Sequence, residues 1–303
     1  MAQRIPFRLF DAEVLGKTRL SPSLSRVVLG GGDLADACTL GPDQRIKIFF
    51  PNDAGRLQVP RGPDWYPQYR AMDPAERSPM RTYTIRRMRE GSGEMEVDFV
   101  LHGDAGPASR WALRARPGDR VVVIAPDRAQ PDPGGVEWRP PEGVREVLLV
   151  ADETALPAGA NILEGLAAMP RPPAVQAFIE VPLAEDALPL PAPPQARVVW
   201  LPRATASGSR PHEHGVRLLD AVRAAEFTSA GVPATVGGAV DEIDIDREIV
   251  WERAADAACG FYAWIAGEAG VVMSIRRHLL GERGLPKSAI TFMGYWRKGR
   301  ALD

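Results

Sequence analysis

The sequence predicts a β + α/β chain of two domains: a small antiparallel β-barrel, then an α/β domain on a parallel, helix-covered sheet. Three observations carry this. As far as Ala125, short β-branched runs alternate with Pro and Gly turns, the texture of a small barrel. Residues 126–143 then concentrate Pro126, Pro131, Pro133, Gly134, Gly135, Pro140, Pro141 and Gly143, which marks a boundary. Beyond it, continuous apolar runs alternate with helical segments, as buried parallel strands and their crossovers do. The expected division is residues 1–126, a linker over 127–143, and residues 144–303.

In order, Phe7 to Leu15 and Leu24 to Leu29 read as strands. Arg45 to Pro51 is a third, carrying Lys47. Asn52 to Pro79 reads as a long irregular loop holding Trp65, Tyr66 and Tyr69, a length that belongs to functional loops and lids. Strands resume at 81–87 and 94–101. Gly106-Pro107-Ala108-Ser109-Arg110-Trp111 opens a helix, with Pro in its first turn. Arg116-Pro117-Gly118-Asp119 is a turn, and Arg120 to Ala125 closes the barrel. In the second domain, strands are expected at Val147–Ala151, Val175–Val181, Val198–Leu201, Phe261–Ala266 and Ile290–Met293. Helices are expected at Pro157–Ala168, Val216–Phe227 and Ala269–Leu280.

Composition excludes several classes. The chain has 303 residues, 45% hydrophobic and 25% charged, with net charge −2. That balance points to neither nucleic acid nor a membrane surface, so any basic site is local. Cys38 and Cys259 lie far apart in unrelated contexts and read as buried thiols of a reducing cytoplasm. Met1 to Leu15 lacks a signal-peptide core, and no apolar run reaches membrane-spanning length. A monomer is expected.

Four stretches could carry chemistry. In a strand, Arg81, Tyr83 and Ile85 share one face, and Thr82, Thr84 and Arg86 the other. A guanidinium beside a flat ring suits a ligand with both phosphate and a planar heterocycle; an ordinary strand with solvated arginines is the competing reading. The helix start at Gly106 to Trp111 offers unpaired N–H groups to a phosphate, with Ser109 and Arg110 as added donors. A plain capped helix reads equally well. Ala151-Asp152-Glu153-Thr154-Ala155-Leu156-Pro157 ends the first parallel strand, where open sheets bind ligands, though without a Gly-x-Gly-x-x-Gly fingerprint. Gly294-Tyr295-Trp296-Arg297-Lys298-Gly299-Arg300 sets two aromatics among cations, either a stacking surface or a basic tail. His212 and His214, with no acidic or Cys partner nearby in sequence, make a weak metal case. The acidic run Asp241, Glu242, Asp244, Asp246, Glu248 reads as a solvated face. No triad signature supports nucleophilic hydrolysis.

In this order, Arg81-Thr82-Tyr83-Thr84-Ile85-Arg86, Asp98-Phe99-Val100-Leu101-His102-Gly103 through Gly106-Pro107-Ala108-Ser109-Arg110-Trp111-Ala112, Ala151 to Pro157, Ala263-Trp264-Ile265-Ala266-Gly267-Glu268 and Gly294 to Arg297 resemble the siderophore-interacting proteins. These are flavin-dependent ferric-siderophore reductases of the ferredoxin-reductase superfamily. The resemblance implies a ferredoxin–NADP reductase-like fold: a Greek-key barrel that binds FAD, then an α/β domain that binds NADPH or NADH. It implies that Arg81, Tyr83 and Thr84 hold the FAD phosphates and flavin. Asp98, Phe99, Val100 and His102 would line the flavin, and Ala108 and Ser109 would cap the pyrophosphate. Thr154 would sit by the flavin's reactive edge, and Trp296 against a cofactor ring. Lys47, with Arg276 or Arg277, would meet the anionic ferric siderophore, and Arg203 would read a 2′-phosphate. The implied activity passes electrons from NAD(P)H through flavin to Fe(III), with no protein ligand to iron. A ferredoxin-linked flavin reductase and a non-catalytic siderophore carrier are the alternatives. Three departures stand out: the charged Arg45-Ile46 run before Lys47; Gly159 where a larger apolar residue is usual, which predicts a looser helix; and an insert rich in Ser, Arg and His from Arg203 to His214.

Overall fold

The computed structural model describes residues 7–89, 91–104, 106–130, 134–204, 211–228, 241, 243–245, 247–255 and 260–300. Cys259, Glu242, Asp246 and residues 205–210 of the segment after Arg203 lie outside them. The chain divides into two compact units, Met1–Val136 and Glu137–Leu302.

In the first unit, β1 (Phe7–Ser21), β2 (Leu24–Gly30), β3 (Arg45–Phe49), β4 (Met80–Thr84), β5 (Arg87–Arg89), β6 (Glu94–Val100) and β7 (Arg120–Pro126) form one sheet. All pairs are antiparallel, in the order β4-β3-β7-β1-β2-β6-β5. Alternation decides the faces: Phe10, Ala12 and Val14 of β1 are buried while Asp11 and Leu15 are exposed. The sheet curls so far that β4 and β6, distant in strand order, meet: the Tyr83 and Phe99 rings lie 4.5 Å apart. The enclosed core joins Phe10, Val27, Ile46, Ile48, Phe50, Val97, Phe99 and Val123, each contributing about 2 kcal/mol on burial. Helix α2 (Pro107–Arg114) packs Ala108 and Ala112 against this core.

Asn52 to Pro79 is not wholly irregular. It contains α1 (Trp65–Ala71), and Tyr69 is buried with its hydroxyl donating to the Ser78 carbonyl at 2.8 Å. Trp65 and Tyr69 meet Phe49 edge-on at 5.9 and 5.3 Å, so these aromatics back the outer face of β3.

In the second unit, β8 (Glu146–Ala151), β9 (Ala174–Leu183), β10 (Arg197–Ala204), β12 (Phe261–Glu268) and β13 (Ile290–Trp296) run parallel. A two-residue strand, β11 (Trp251–Glu252), adds antiparallel to β13 at the edge. The order β10-β9-β8-β12-β13-β11 starts at the centre, moves outward, and returns on the other side of β8. This reversal creates a crevice between the carboxyl ends of β8 and β12, the standard ligand position in open sheets. Every residue of β8 and β12 is buried, which explains their continuous apolar texture. Helices α3 (Leu156–Ala167), α4 (Val216–Arg223) and α5 (Ala269–Arg276) cover the sheet, with a π-turn over Arg277–Glu282.

Gly159 does not loosen its helix. A Cβ there would lie 3.3 Å from a Leu149 methyl, so glycine permits α3 to seat closely on β8. No helix among the described residues is long and apolar enough to cross a membrane.

Candidate functional site

In the first unit, the expected alternation holds through β4. Arg81 and Tyr83 face Ile48 and Ile46 across the ladder, while Thr82 and Thr84 face Lys47 and Arg45 on the other side. The strand ends at Thr84. Ile85 turns into the core, and Arg86 is buried with its Nε 3.8 Å from Asp98. Burial, opposed by the Arg81 charge, pushes the Tyr83 hydroxyl above its ordinary value. Tyr83, Phe99 and Trp111 form a chain of rings from β4 through β6 to α2, with centroids 4.5 and 5.5 Å apart.

The start of α2 lies beside this chain. Gly106 precedes it, Pro107 lacks an N–H, and no side chain caps the helix, so the Ala108 and Ser109 amides are its first orphan donors. The Ser109 hydroxyl is not a ligand donor as the sequence implied. It is buried, accepts the His102 N–H at 3.1 Å and donates to the Gly103 carbonyl at 2.7 Å, pinning the exit of β6 to the helix. His102 itself is exposed, its ring against Gly106. Arg110 is drawn to Asp53 and the Asp104 carbonyl. Val100 is half-buried beside Leu24. Asp98 is taken up by Arg26 at 2.7 and 2.9 Å, so its carboxylate locks β2 to β6.

Arg81 differs from its neighbours. Arg26, Arg89, Arg110 and Arg114 each face a carboxylate. Arg81 is half-buried and donates to the Met80 carbonyl at 2.7 Å, and among the described residues no carboxylate neutralises it. A guanidinium, two orphan amides and a wall of rings form a donor set that fits an aromatic dinucleotide with a pyrophosphate. Lys47 lies on the opposite face of the sheet from Arg81 and Tyr83. Burial, and then Arg45, holds its amine below the ordinary value, and among the described residues no carboxylate pairs with it.

In the second unit, the crevice is lined by acids. Asp152, directly after β8, is 1% exposed and accepts five hydrogen bonds. Oδ1 accepts from the Thr154 N–H, the Thr154 hydroxyl and the Ala155 N–H; Oδ2 accepts from the Glu268 N–H at 2.9 Å and the Trp296 indole at 2.7 Å. Burial and the adjacent Glu153 push the Asp152 carboxyl up. Glu180, on β9, is fully buried and takes the Gly215 N–H on both oxygens. Arg203, on β10, bridges the acids, donating to Glu153 at 2.6 and 2.8 Å and to Glu180 at 3.1 Å. Burial opposes ionisation of Glu153, but the hydrogen bonds and charge of Arg203, with His214 close by, hold it down at about 2.

His214 occupies the middle of this group. Its Nε2 lies 3.6–3.8 Å from Glu180, Glu153 and Asp152, and its ring meets Trp296 edge-on at 5.1 Å. Burial lowers its pKa, but the three carboxylates together raise it. Asp152, Glu153 and His214 bring potential metal-ligand atoms within 4.8 Å of one another, yet Glu153 is already paired with Arg203, and Asp152 already accepts five hydrogen bonds. His214 therefore has the acidic company that the sequence order concealed. Its signal was Glu180, a lone carboxylate in the apolar run of β9.

Other expectations need correction. Arg276 is 1% exposed and paired with Glu252 at 2.7 and 3.0 Å, so it clamps α5 to β11 and does not face a substrate. Arg277 is exposed on the π-turn. Thr154 and Trp296 spend their donors on Asp152. Tyr295 stacks on Trp251 at 6.0 Å, so the terminal aromatics belong to the last strand and not to a tail.

A curled antiparallel sheet with an orphan helix start, followed by a parallel sheet with a crevice at its reversal point, defines a flavin- and nucleotide-binding reductase fold. The description "Siderophore-interacting FAD-binding domain" matches residues 13–130, and "Siderophore-interacting protein" matches residues 144–299. The chain belongs to the siderophore-interacting protein family. An uncharacterized protein of Mycobacterium tuberculosis is 33% identical over 96% of this chain and 91% of its own length. The ferric vibriobactin reductase ViuB of Vibrio cholerae is 28% identical over 98% of this chain and 92% of its own. The crystal structure of a siderophore utilization protein from T. fusca is 32% identical, with a TM-score of 0.75, over 99% of this chain and 97% of that one.

Proposed function

We propose that this protein is an FAD-dependent ferric-siderophore reductase of the cytoplasm, taking electrons from NAD(P)H and releasing Fe(II) from an anionic chelate. The observation that carries the reading is Arg81, a half-buried cation without a carboxylate among the described residues, on the strand whose Tyr83 begins the ring chain leading to the orphan amides of α2. Family membership over both units supports it, as does the activity for which the similar ViuB is named.

Arg81 and the Ala108 and Ser109 amides would hold the pyrophosphate. Tyr83 and Phe99 would present an apolar wall to the flavin ring. When bound, the flavin supplies the conversion from hydride to single-electron transfer. Residues 1–126 would hold the flavin and residues 144–303 the nicotinamide nucleotide. Lys47 would attract the chelate by its local positive charge. Ferrous iron binds hard oxygen ligands less tightly than ferric iron, so reduction itself releases the cargo.

The test is anaerobic reduction of a ferric-siderophore panel by flavin-loaded protein, with NADH, NADPH or reduced ferredoxin as donor and ferrous iron trapped by a coloured chelator. Ferrous product with a nicotinamide donor is expected. Arg81→Ala is expected to fold and lose FAD; stoichiometric flavin in that variant would overturn the site assignment.

A further inference from the structure

We propose that the carboxyl edge of the second sheet selects against a 2′-phosphate, so that the protein takes NADH in preference to NADPH, with Glu153 and Glu180 as the specificity-determining residues. This rests on the reductase reading above and names the donor.

A dinucleotide laid over the carboxyl ends of parallel strands meets the side chains there, and discrimination at the adenosine ribose is electrostatic. A carboxylate suits a 2′-hydroxyl, whereas an arginine suits a 2′-phosphate. Arg203 lies at the carboxyl end of β10, where Arg217 also donates to the Pro202 carbonyl. The Arg203 guanidinium is not free: three hydrogen bonds of 2.6, 2.8 and 3.1 Å tie it to Glu153 and Glu180. A phosphate would have to take these donors from two buried carboxylates and then remain beside them.

The surrounding charge has the wrong sign for that exchange. Asp152 and Glu153 follow β8, Glu180 lies on β9, and Glu268 ends β12 with its N–H bonded to Asp152. Among the described residues, Arg203 and His214 are the cations within 4 Å of Asp152, Glu153 and Glu180. Glu153, held at about 2, stays ionised throughout the working range. A 2′-phosphate brings about two further negative charges near neutral pH. The 2′-hydroxyl of NADH brings none and can donate to a carboxylate oxygen.

Glu153 is the more accessible of the two acids, and Glu180 positions it. Glu180 holds the Gly215 N–H on both oxygens and anchors Arg203 from beneath. Glu153→Gln removes the charge and one of the two acceptor oxygens, which frees one guanidinium donor for a phosphate.

The experiment is isothermal titration calorimetry of flavin-loaded protein with NAD⁺ and NADP⁺, which measures binding without turnover. The wild type is expected to bind NAD⁺ at least about tenfold more tightly, the effect of roughly one like-charge contact. Glu153→Gln is expected to narrow that ratio by raising affinity for NADP⁺, and Arg203→Met to leave NAD⁺ preferred. A salt series on the wild type needs no variant. Screening of a repulsion lowers the NAD⁺ preference as salt rises, whereas screening of an attractive phosphate site raises it. Equal or tighter binding of NADP⁺, a ratio unmoved by Glu153→Gln, or a NAD⁺ preference that grows with salt each overturns the inference. Binding of neither nucleotide overturns it too, while chelate reduction by ferredoxin would leave the reductase reading standing. A clear NAD⁺ preference without ferrous product from any donor would do the reverse.

Discussion

Arg203→Met tests the acidic edge as a structural element. The substitution keeps most of the side-chain volume and removes the guanidinium from between Glu153 and Glu180, whose side chains are 9% and 0% exposed. Burial alone would raise the Glu153 carboxyl, and Arg203 and His214 reverse this to about 2. The gap from the ordinary value of 4.5 corresponds to about 3 kcal/mol. Breaking one side of a buried ion pair costs about 3–5 kcal/mol by other measures, so the two routes agree. Because the folded pKa of Glu153 lies below its unfolded value, this stability is fully present above pH 4.5 and lost as pH falls toward 2. In the variant, burial is no longer opposed by Arg203, so the deficit is largest at neutral pH and shrinks as Glu153 protonates. The assay is urea unfolding at pH 7 and pH 5, read by tryptophan fluorescence, with Trp200 three residues away on β10. A loss below about 1 kcal/mol at pH 7, or an equal loss at both pH values, would refute the account of Arg203 as the counter-ion of this group.

Three further outcomes follow from the same geometry. Lys47→Glu is expected to raise the apparent KM for an anionic ferric chelate about tenfold and leave flavin bleaching by nicotinamide unchanged, as steady-state and stopped-flow kinetics would show. Gly215→Ala is expected to cost about 3 kcal/mol or more in thermal or urea unfolding, since φ is +82° and a Cβ would lie 2.1 Å from a Val271 methyl. Ser109→Ala breaks the two hydrogen bonds that pin residues 102–103 to α2, and is expected to cost about 1–2 kcal/mol and weaken flavin retention in dialysis.

Local patterns made most of the fold legible. The buried run of β8, the alternation of β1 and β4, and the Pro and Gly breaks each state their element within a few residues. Helix α1 escaped because Trp65–Ala71 is seven residues long with a proline inside, and its aromatics are explained by Phe49, a partner far upstream. Strand β11 escaped because two residues carry no period. Arg276 reads in sequence like any cation ending a helix; only the approach of β11 shows that Glu252 consumes its charge. The acidic edge was the least legible. Asp152, Glu180, Arg203 and His214 belong to separate segments, and they meet because parallel strands deliver every carboxyl end to one side of the sheet.

This bears on what a net charge can exclude. A balance of −2 over 303 residues reads as electrostatic indifference. Yet among the described residues Arg81 and Lys47 stand without carboxylates in the first unit, and Asp152, Glu153 and Glu180 gather at the strand ends of the second. Opposite local surpluses cancel in a sum taken over the chain, but a ligand within a Debye length of about 8 Å responds to the local one. Under the proposed assignments each unit would attract a different chemistry, an anionic pyrophosphate or chelate at one and a ribose hydroxyl at the other, in a chain whose composition advertises neither.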